Sequence, residues 1–173
     1  LTNRAFVVYN IVCDIKKVKV NMVIQLREVF DIPGESVDFD YEITSQETDY
    51  IKDVQFDHPI AVKGSIRNRS GMITMSYNVS FKMEQYCDRC LKQLSNEYKF
   101  DFTHNLVKSL ANDEDEVYDT YIVAEKDHID LNDTVLSDIL LALPSKVLCR
   151  EDCKGLCFVC GCNLNEMECN CQK

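Results

Sequence analysis

The chain has 173 residues, 46% of them hydrophobic, with ten cysteines and a formal net charge of −10 at pH 7. That length suits one compact domain with a small appendix, and an apolar content of this size builds a core without disulfides, which argues against a secreted disulfide framework and for reduced, metal-bound thiols in the cytoplasm. The negative balance opposes nonspecific nucleic-acid binding, and no apolar run is long enough to span a bilayer.

Residues 1–21 precede the first methionine, Met22. Their apolar stretch is short and broken by polar residues, so they are read as an extension from an upstream start rather than a signal peptide, and are set aside together with Cys13. Residues 23–30, V-I-Q-L-R-E-V-F, predict a first strand, and I-P-G-E a turn. Residues 37–43 alternate apolar and polar positions as a half-buried strand does, residues 60–67 predict another strand, and N-R-S-G at 68–71 a turn.

The clearest pattern follows. Ile73, Met75, Tyr77, Val79, Phe81 and Met83 alternate with polar residues, and after a C-D-R-C segment Leu94, Tyr98, Phe100, Phe102, His104 and Leu106 do the same. A period of two places each set on one face, which predicts an antiparallel hairpin with Cys87 and Cys90 at its tip. His104, inside the apolar register, is expected to be a hydrogen-bonded sheet histidine rather than a metal ligand. The acidic run at 112–117 reads as a solvated loop. Residues 118–123 and 128–131 predict short strands around a turn at 124–127. A helix follows over 131–143, capped by Asn132 or Asp133 and stopped by Pro144, with Leu136, Ile139, Leu140 and Leu143 as its apolar stripe. The expected fold class is α+β: a mainly antiparallel sheet and a C-terminal helix in residues 22–147, then a cysteine-rich zinc-binding tail over 148–173.

Seven of the ten cysteines lie in that tail. Zinc takes four ligands in a tetrahedron, soft thiolates suit it, and two close pairs each supply one edge. Cys157, Cys160, Cys169 and Cys171 can close one site within the tail. Cys87 and Cys90 are then matched with Cys149 and Cys153, which follow the helix and would tether the tail to the sheet. Cys162 competes for the tail metal and is left as a spare thiol. A site with four protein ligands has no open position for water, so both are expected to be structural, and none of His58, His104 and His128 stands in the setting a zinc deaminase needs. Two other chemistries are set against zinc. A thiol oxidoreductase fits poorly, because the C-D-R-C segment lies between antiparallel strands instead of opening a helix. An iron–sulfur cluster is chemically allowed and is told apart by colour.

The opening M-V-I-Q-L-R-E-V-F-D-I-P-G at residues 22–34, C-D-R-C-L at 87–91, L-A-L-P at 141–144, the run C-R-E-D-C-K-G-L-C-F-V-C-G-C-N-L-N at 149–165 and the closing C-N-C together resemble the YceD-like family, the large ribosomal RNA subunit accumulation proteins. Phe158, where the family often has proline, and Cys162, where a small residue is usual, depart from its pattern. The resemblance implies a cytoplasmic, non-enzymatic, zinc-binding factor that supports accumulation or processing of 23S ribosomal RNA and assembly of the large subunit. Its partner would be precursor ribosomal RNA or the assembling particle. The alternative is a zinc-stabilised protein-interaction module without RNA contact of its own. For direct RNA binding the basic residues are Lys63, Arg67 and Arg69 near one hairpin turn, Arg89 and Lys92 at the first knuckle, and Lys146, Arg150 and Lys154 in the tail, while Tyr86 reads equally as a ring to stack on a base or to pack the knuckle. The same cations read equally well as dispersed solubilising charge.

Overall fold

A computed structural model describes residues 22–44, 48, 54, 56, 58–109 and 121–171. The predicted extension at 1–21 and the acidic run at 112–117 lie outside the described residues, as do residues 118–120 of the strand expected there.

The period-two patterns become a five-stranded sheet. Strands β2 (Ser36–Ile43), β3 (Ile60–Arg69), β4 (Met72–Tyr86) and β5 (Gln93–Val107) pair antiparallel in sequence order, and β6 (Tyr121–Val123) joins β5 in parallel at the edge. Strands β4 and β5 are 15 residues each and stay in register from Ile73↔Leu106 to Tyr86↔Gln93. Ile73, Met75, Tyr77, Val79, Phe81 and Met83 are all buried, and Phe39, Ile60, Val62 and Ile66 extend the core across β2 and β3. The opposite face carries Asp38, Asp40, Lys63, Arg67, Ser76, Asn78 and Asp101, so it stays in water. Opposite Tyr77, Gly64 leaves room for the rings of Phe39 and Tyr77, whose centroids are 6.3 Å apart.

The strand expected over 23–30 is only partly formed. Strand β1 (Val23–Gln25) pairs with β7 (His128–Asp130), and the chain then turns into helix α1 (Arg27–Asp31). Leu26 and Val29, spaced by a helical three, are both fully buried; alternation would have sent them to opposite faces. The β3–β4 turn locks onto this helix. Its Ser70 and Gly71 both have positive φ, as a two-residue hairpin turn requires, and the buried Asn68 side chain donates to the Val29 carbonyl (2.7 Å) and accepts from the Gly71 N–H (2.8 Å).

Helix α2 (Leu131–Ala142) begins at a different cap from the two expected. The Asp130 carboxylate accepts from the N–H groups of Asn132 (3.1 Å) and Asp133 (3.3 Å), because the residue before the first helical turn is the one whose side chain reaches those donors. The Asp130→Ala variant is expected to lose about 1 kcal/mol of unfolding free energy in a urea titration. The buried face is Leu131, Val135, Leu136 and Ile139, whereas Leu140, expected in the stripe, is 39% exposed. The helix is turned by a polar anchor: the Asp138 carboxylate accepts from the Tyr77 hydroxyl and lies 2.6 Å from Nε2 of His104. His104 is thus a hydrogen-bonded sheet histidine. No described helix is long and apolar enough to cross a membrane.

Candidate metal centres

The β4–β5 hairpin closes in a knuckle. The Cys87 N–H donates to the Lys92 carbonyl (2.9 Å) and the Leu91 N–H to the Cys87 carbonyl (2.9 Å), with Leu91 at φ 58°. After α2, the chain returns to this tip and is sewn to it. Asp88 N–H donates to the Val147 carbonyl (2.9 Å), Val147 N–H to the Asp88 carboxylate (2.6 Å), and Leu156 N–H to the Arg89 carbonyl (3.0 Å). Gly155, at φ 78°, passes so near that a Cβ would stand 2.9 Å from the Arg89 carbonyl oxygen.

This seam brings Cys87 and Cys90 against Cys149 and Cys153. The four sulfurs lie within 4.8 Å of one another, with Cys87 3.8 Å from Cys153 and Cys90 3.6 Å from Cys149. Zinc–thiolate bonds of about 2.3 Å in a tetrahedron imply sulfur–sulfur edges of about 3.8 Å, so the donor set fits that ion in number, softness and spacing. Cys87, Cys90 and Cys153 are buried, with Leu94, Leu148 and Leu156 packed around them. Burial raises the Cys87 thiol pKa, but the N–H groups of Cys149, Cys90 and Arg89 outweigh it and bring it down to about 6. Burial, followed by the neighbouring thiols, pushes Cys149 up to about 12. A metal bound here would be held by thiolates, so its binding would release protons from the cluster.

The second cluster is built within the tail. The Gly161 N–H donates to the Cys157 carbonyl (2.8 Å) with φ 72° at Gly161, and the Cys157 N–H to the Cys162 carbonyl (2.8 Å). A lone bridge between Leu156 and Asn163 squares this turn off. The sulfurs of Cys157, Cys160, Cys169 and Cys171 also lie within 4.8 Å of one another, with Cys169 3.3 Å from Cys157 and 3.6 Å from Cys160. The Val159 and Cys171 N–H groups donate to the sulfurs of Cys157 (3.4 Å) and Cys169 (3.3 Å), the orientation that steadies thiolates. The Cys162 N–H, helped by neighbouring thiols, holds Cys160 near 6.

Sequence reasoning did not single out Asn165, which ties the loop between Cys160 and Cys169 to the first cluster. Its side-chain N–H donates to the Cys153 sulfur (3.3 Å), while its oxygen accepts from the Arg150 guanidinium (2.7 Å) and the Lys154 N–H (2.8 Å). Nothing in its local spacing announces this role.

The YceD family, described as large ribosomal RNA subunit accumulation protein YceD, matches residues 75–173, a span that takes in most of β4, all of β5, helix α2 and all eight clustered thiols. The chain belongs to the YceD family. A curated relative from Bacillus subtilis (strain 168), described as uncharacterized protein YlbN, is 25% identical over 126 residues, 72% of this chain and 72% of its own. No solved structure matches.

In this YceD protein the basic residues singled out for RNA fall in two places. Lys63 lies 3.0 Å from Asp40 and Arg67 3.9 Å from Asp38 on the outer face of the sheet, with exposed Arg69 at the end of β3. Arg89, Lys92, Lys146, Arg150 and Lys154 gather at the knuckle end. The register partner of Lys63 on β4 is Asn78, which puts Lys63 about 27 Å along the strand from Tyr86, and Arg67 and Arg69, opposite Thr74 and Met72, farther still. Two of the distal cations are engaged with the thiol scaffold: the Arg89 guanidinium donates to the Cys153 carbonyl (2.7 Å), and Arg150 holds Asn165. Lys92, Lys146 and Lys154 are exposed, as is Tyr86.

The two clusters differ in cover. Cys160 is exposed and Cys162, Cys169 and Cys171 half-buried, against a first cluster with three buried thiols. A chelator is therefore expected to strip a loaded protein in two steps, with the second-site metal leaving first; metal content per chain by native mass spectrometry against time reads this, and simultaneous loss would contradict it.

Proposed function

We propose that this YceD protein is a zinc-stabilised, non-enzymatic factor that supports accumulation or processing of 23S ribosomal RNA and assembly of the large ribosomal subunit in the cytoplasm. The observation that carries the reading is the family match over residues 75–173, which contains both thiol clusters. Four protein thiols around each ion leave no position for a reacting water, so the metals act as architecture. In this reading residues 22–147 form the β-rich domain, and the tail over 148–173 is a zinc-binding appendage pinned to it by Cys149 and Cys153. Lys63, Arg67, Arg69, Arg89, Lys92, Arg150 and Lys154 are the cations through which it would meet phosphate. Depletion of the protein in its host, with 23S and 16S RNA quantified side by side, tests the role. A fall in the 23S:16S ratio is expected, and an unchanged ratio would remove the reading.

One observation favours a protein partner instead of direct RNA contact. Phe158 is 88% exposed and Val159 59% exposed at the tip of the second knuckle, on a chain of formal charge −10. Apolar tips of this kind contribute to protein interfaces more than to a phosphate surface. Binding of the metal-loaded protein to 23S fragments across a salt series separates the two: affinity that falls steeply with salt marks phosphate contacts, and no binding at low salt leaves assembly through a protein partner.

A further inference from the structure

Strand β5 has an open edge. Strand β6 covers it only from Asn105 to Val107, and among the described residues no strand pairs with the outer side of residues 93–103. At the hairpin tip the Cys87 N–H donates to the Lys92 carbonyl, so along the unbroken β4–β5 register the even-numbered residues of β5 bond to β4. The odd-numbered residues aim their N–H and C=O outward, as Val107 does when its carbonyl accepts from the Ala124 N–H (2.8 Å). Edges of this kind are usually blunted by proline, a bulge or an inward-pointing charge. Residues 93–103 contain no proline or glycine, and their register has no break. Glu97, Lys99 and Asp101 stand exposed on the solvent face, with Lys99 3.1 Å from Glu97. On the core face the edge is short of cover: from Ile73 to Met83 every core-facing residue of β4 is buried, whereas Leu94, Tyr98, Phe100 and Phe102 of β5 are only half-buried.

We infer that this edge is a docking surface for a second copy of the chain, β5 pairing antiparallel with β5 across a two-fold axis at Tyr98. The midpoint of residues 93–103 is residue 98, so this register uses the whole open edge and stops where β6 begins. It sets odd-numbered residues opposite odd-numbered residues, the positions whose backbone groups point outward. Glu97 of each copy then faces Lys99 of the other, which replaces one exposed ion pair within each chain by two across the axis. On the core face Leu94 faces Phe102 and the two Tyr98 rings meet, covering the half-buried row. Charge selects this register over its neighbours. A slip of two residues one way puts Glu97 opposite Glu97; the other way puts Lys99 opposite Lys99 and Glu97 opposite Asp101.

The test is sedimentation equilibrium of the zinc-loaded full chain, with backbone hydrogen exchange followed by NMR on the same samples. Wild type is expected at twice the chain mass, with the amides of Ser95, Glu97, Lys99 and Asp101 protected. Glu97→Lys and Lys99→Glu each create two like-charged pairs beside the axis and should raise the dimer dissociation constant roughly tenfold or more, at unchanged metal content. Glu97→Lys does so although it lowers the net negative charge, which general repulsion between copies cannot explain. The double variant restores opposite charges at both positions and should recover the dimer. A monomeric wild type would overturn the inference, and protection of the same amides in that monomer would assign the edge to another segment of this chain. A dimer that survives both single reversals is held through a different surface, and a double variant that stays monomeric rules out the register; either result overturns the inference as well.

Discussion

Replacing Cys87 by serine is expected to remove one metal and destabilise the whole protein, by on the order of 4 kcal/mol or more. The first cluster draws two thiols from the hairpin tip and two from the segment after α2, so a metal bound there would close a long loop across the molecule. Without the metal, that seam depends on a few backbone hydrogen bonds and the small apolar group of Leu94, Leu148 and Leu156. The serine would also stand at a fully buried position, where its hydroxyl must find a new partner. Metal content and a denaturant titration on the same sample provide the reading; two retained metals, or an unchanged midpoint, would contradict the role of this site. Cys157→Ser is the contrast. All four thiols of the second cluster come from residues 157–171, so this variant should lose the other metal while the sheet unfolds at nearly the wild-type midpoint.

Substituting Gly64 by alanine should cost about 3 kcal/mol and lower the melting temperature by roughly 10 °C, although Gly64 lies far along the sheet from both clusters. A Cβ there would meet the Tyr77 Cβ at 2.3 Å, the Ser76 carbonyl oxygen at 2.5 Å and the Phe39 ring at 2.8 Å. Two of these three are a Cβ fixed to the backbone and a backbone atom, so relief requires β3 and β4 to separate instead of one side chain turning aside. Tyr77 also carries one of the two hydrogen bonds that seat Asp138 of helix α2, so displacement of its ring would reach the helix. A melting temperature within a degree or two of wild type would show that the strands yield there without strain.

Much of this architecture can be read from residue order, and the exceptions have physical causes. The alternation from Ile73 to Met83 and from Leu94 to Leu106 predicts the long hairpin because in an extended chain neighbouring side chains must point to opposite faces. The same logic fails at Leu26 and Val29, where a short apolar run fits either period and burial against the β3–β4 turn selects the helical one. It fails again at Leu140: the stripe of α2 is legible, but its rotation is set by Asp138 reaching across to Tyr77 and His104, residues 61 and 34 positions away.

The thiol clusters divide in the same way. Local spacing by itself picks out the close pairs, Cys87 with Cys90, Cys157 with Cys160 and Cys169 with Cys171, because two residues separated by a tight turn can bind one ion and the chain between them is too short to do otherwise. Matching Cys87 and Cys90 with Cys149 and Cys153 follows from sequence only by elimination. Their sulfurs meet only because the chain leaving α2 returns along the hairpin tip and is fastened there through Asp88, Arg89 and Val147. What the sequence determined alone is therefore the strand pattern, the acidic balance and the local thiol pairs, all properties of neighbours. What only the tertiary structure decided is the facing of α2, the meeting of the hairpin-tip thiols with Cys149 and Cys153, and the hold of Asn165 on Cys153, since each depends on contacts between segments that no local period encodes.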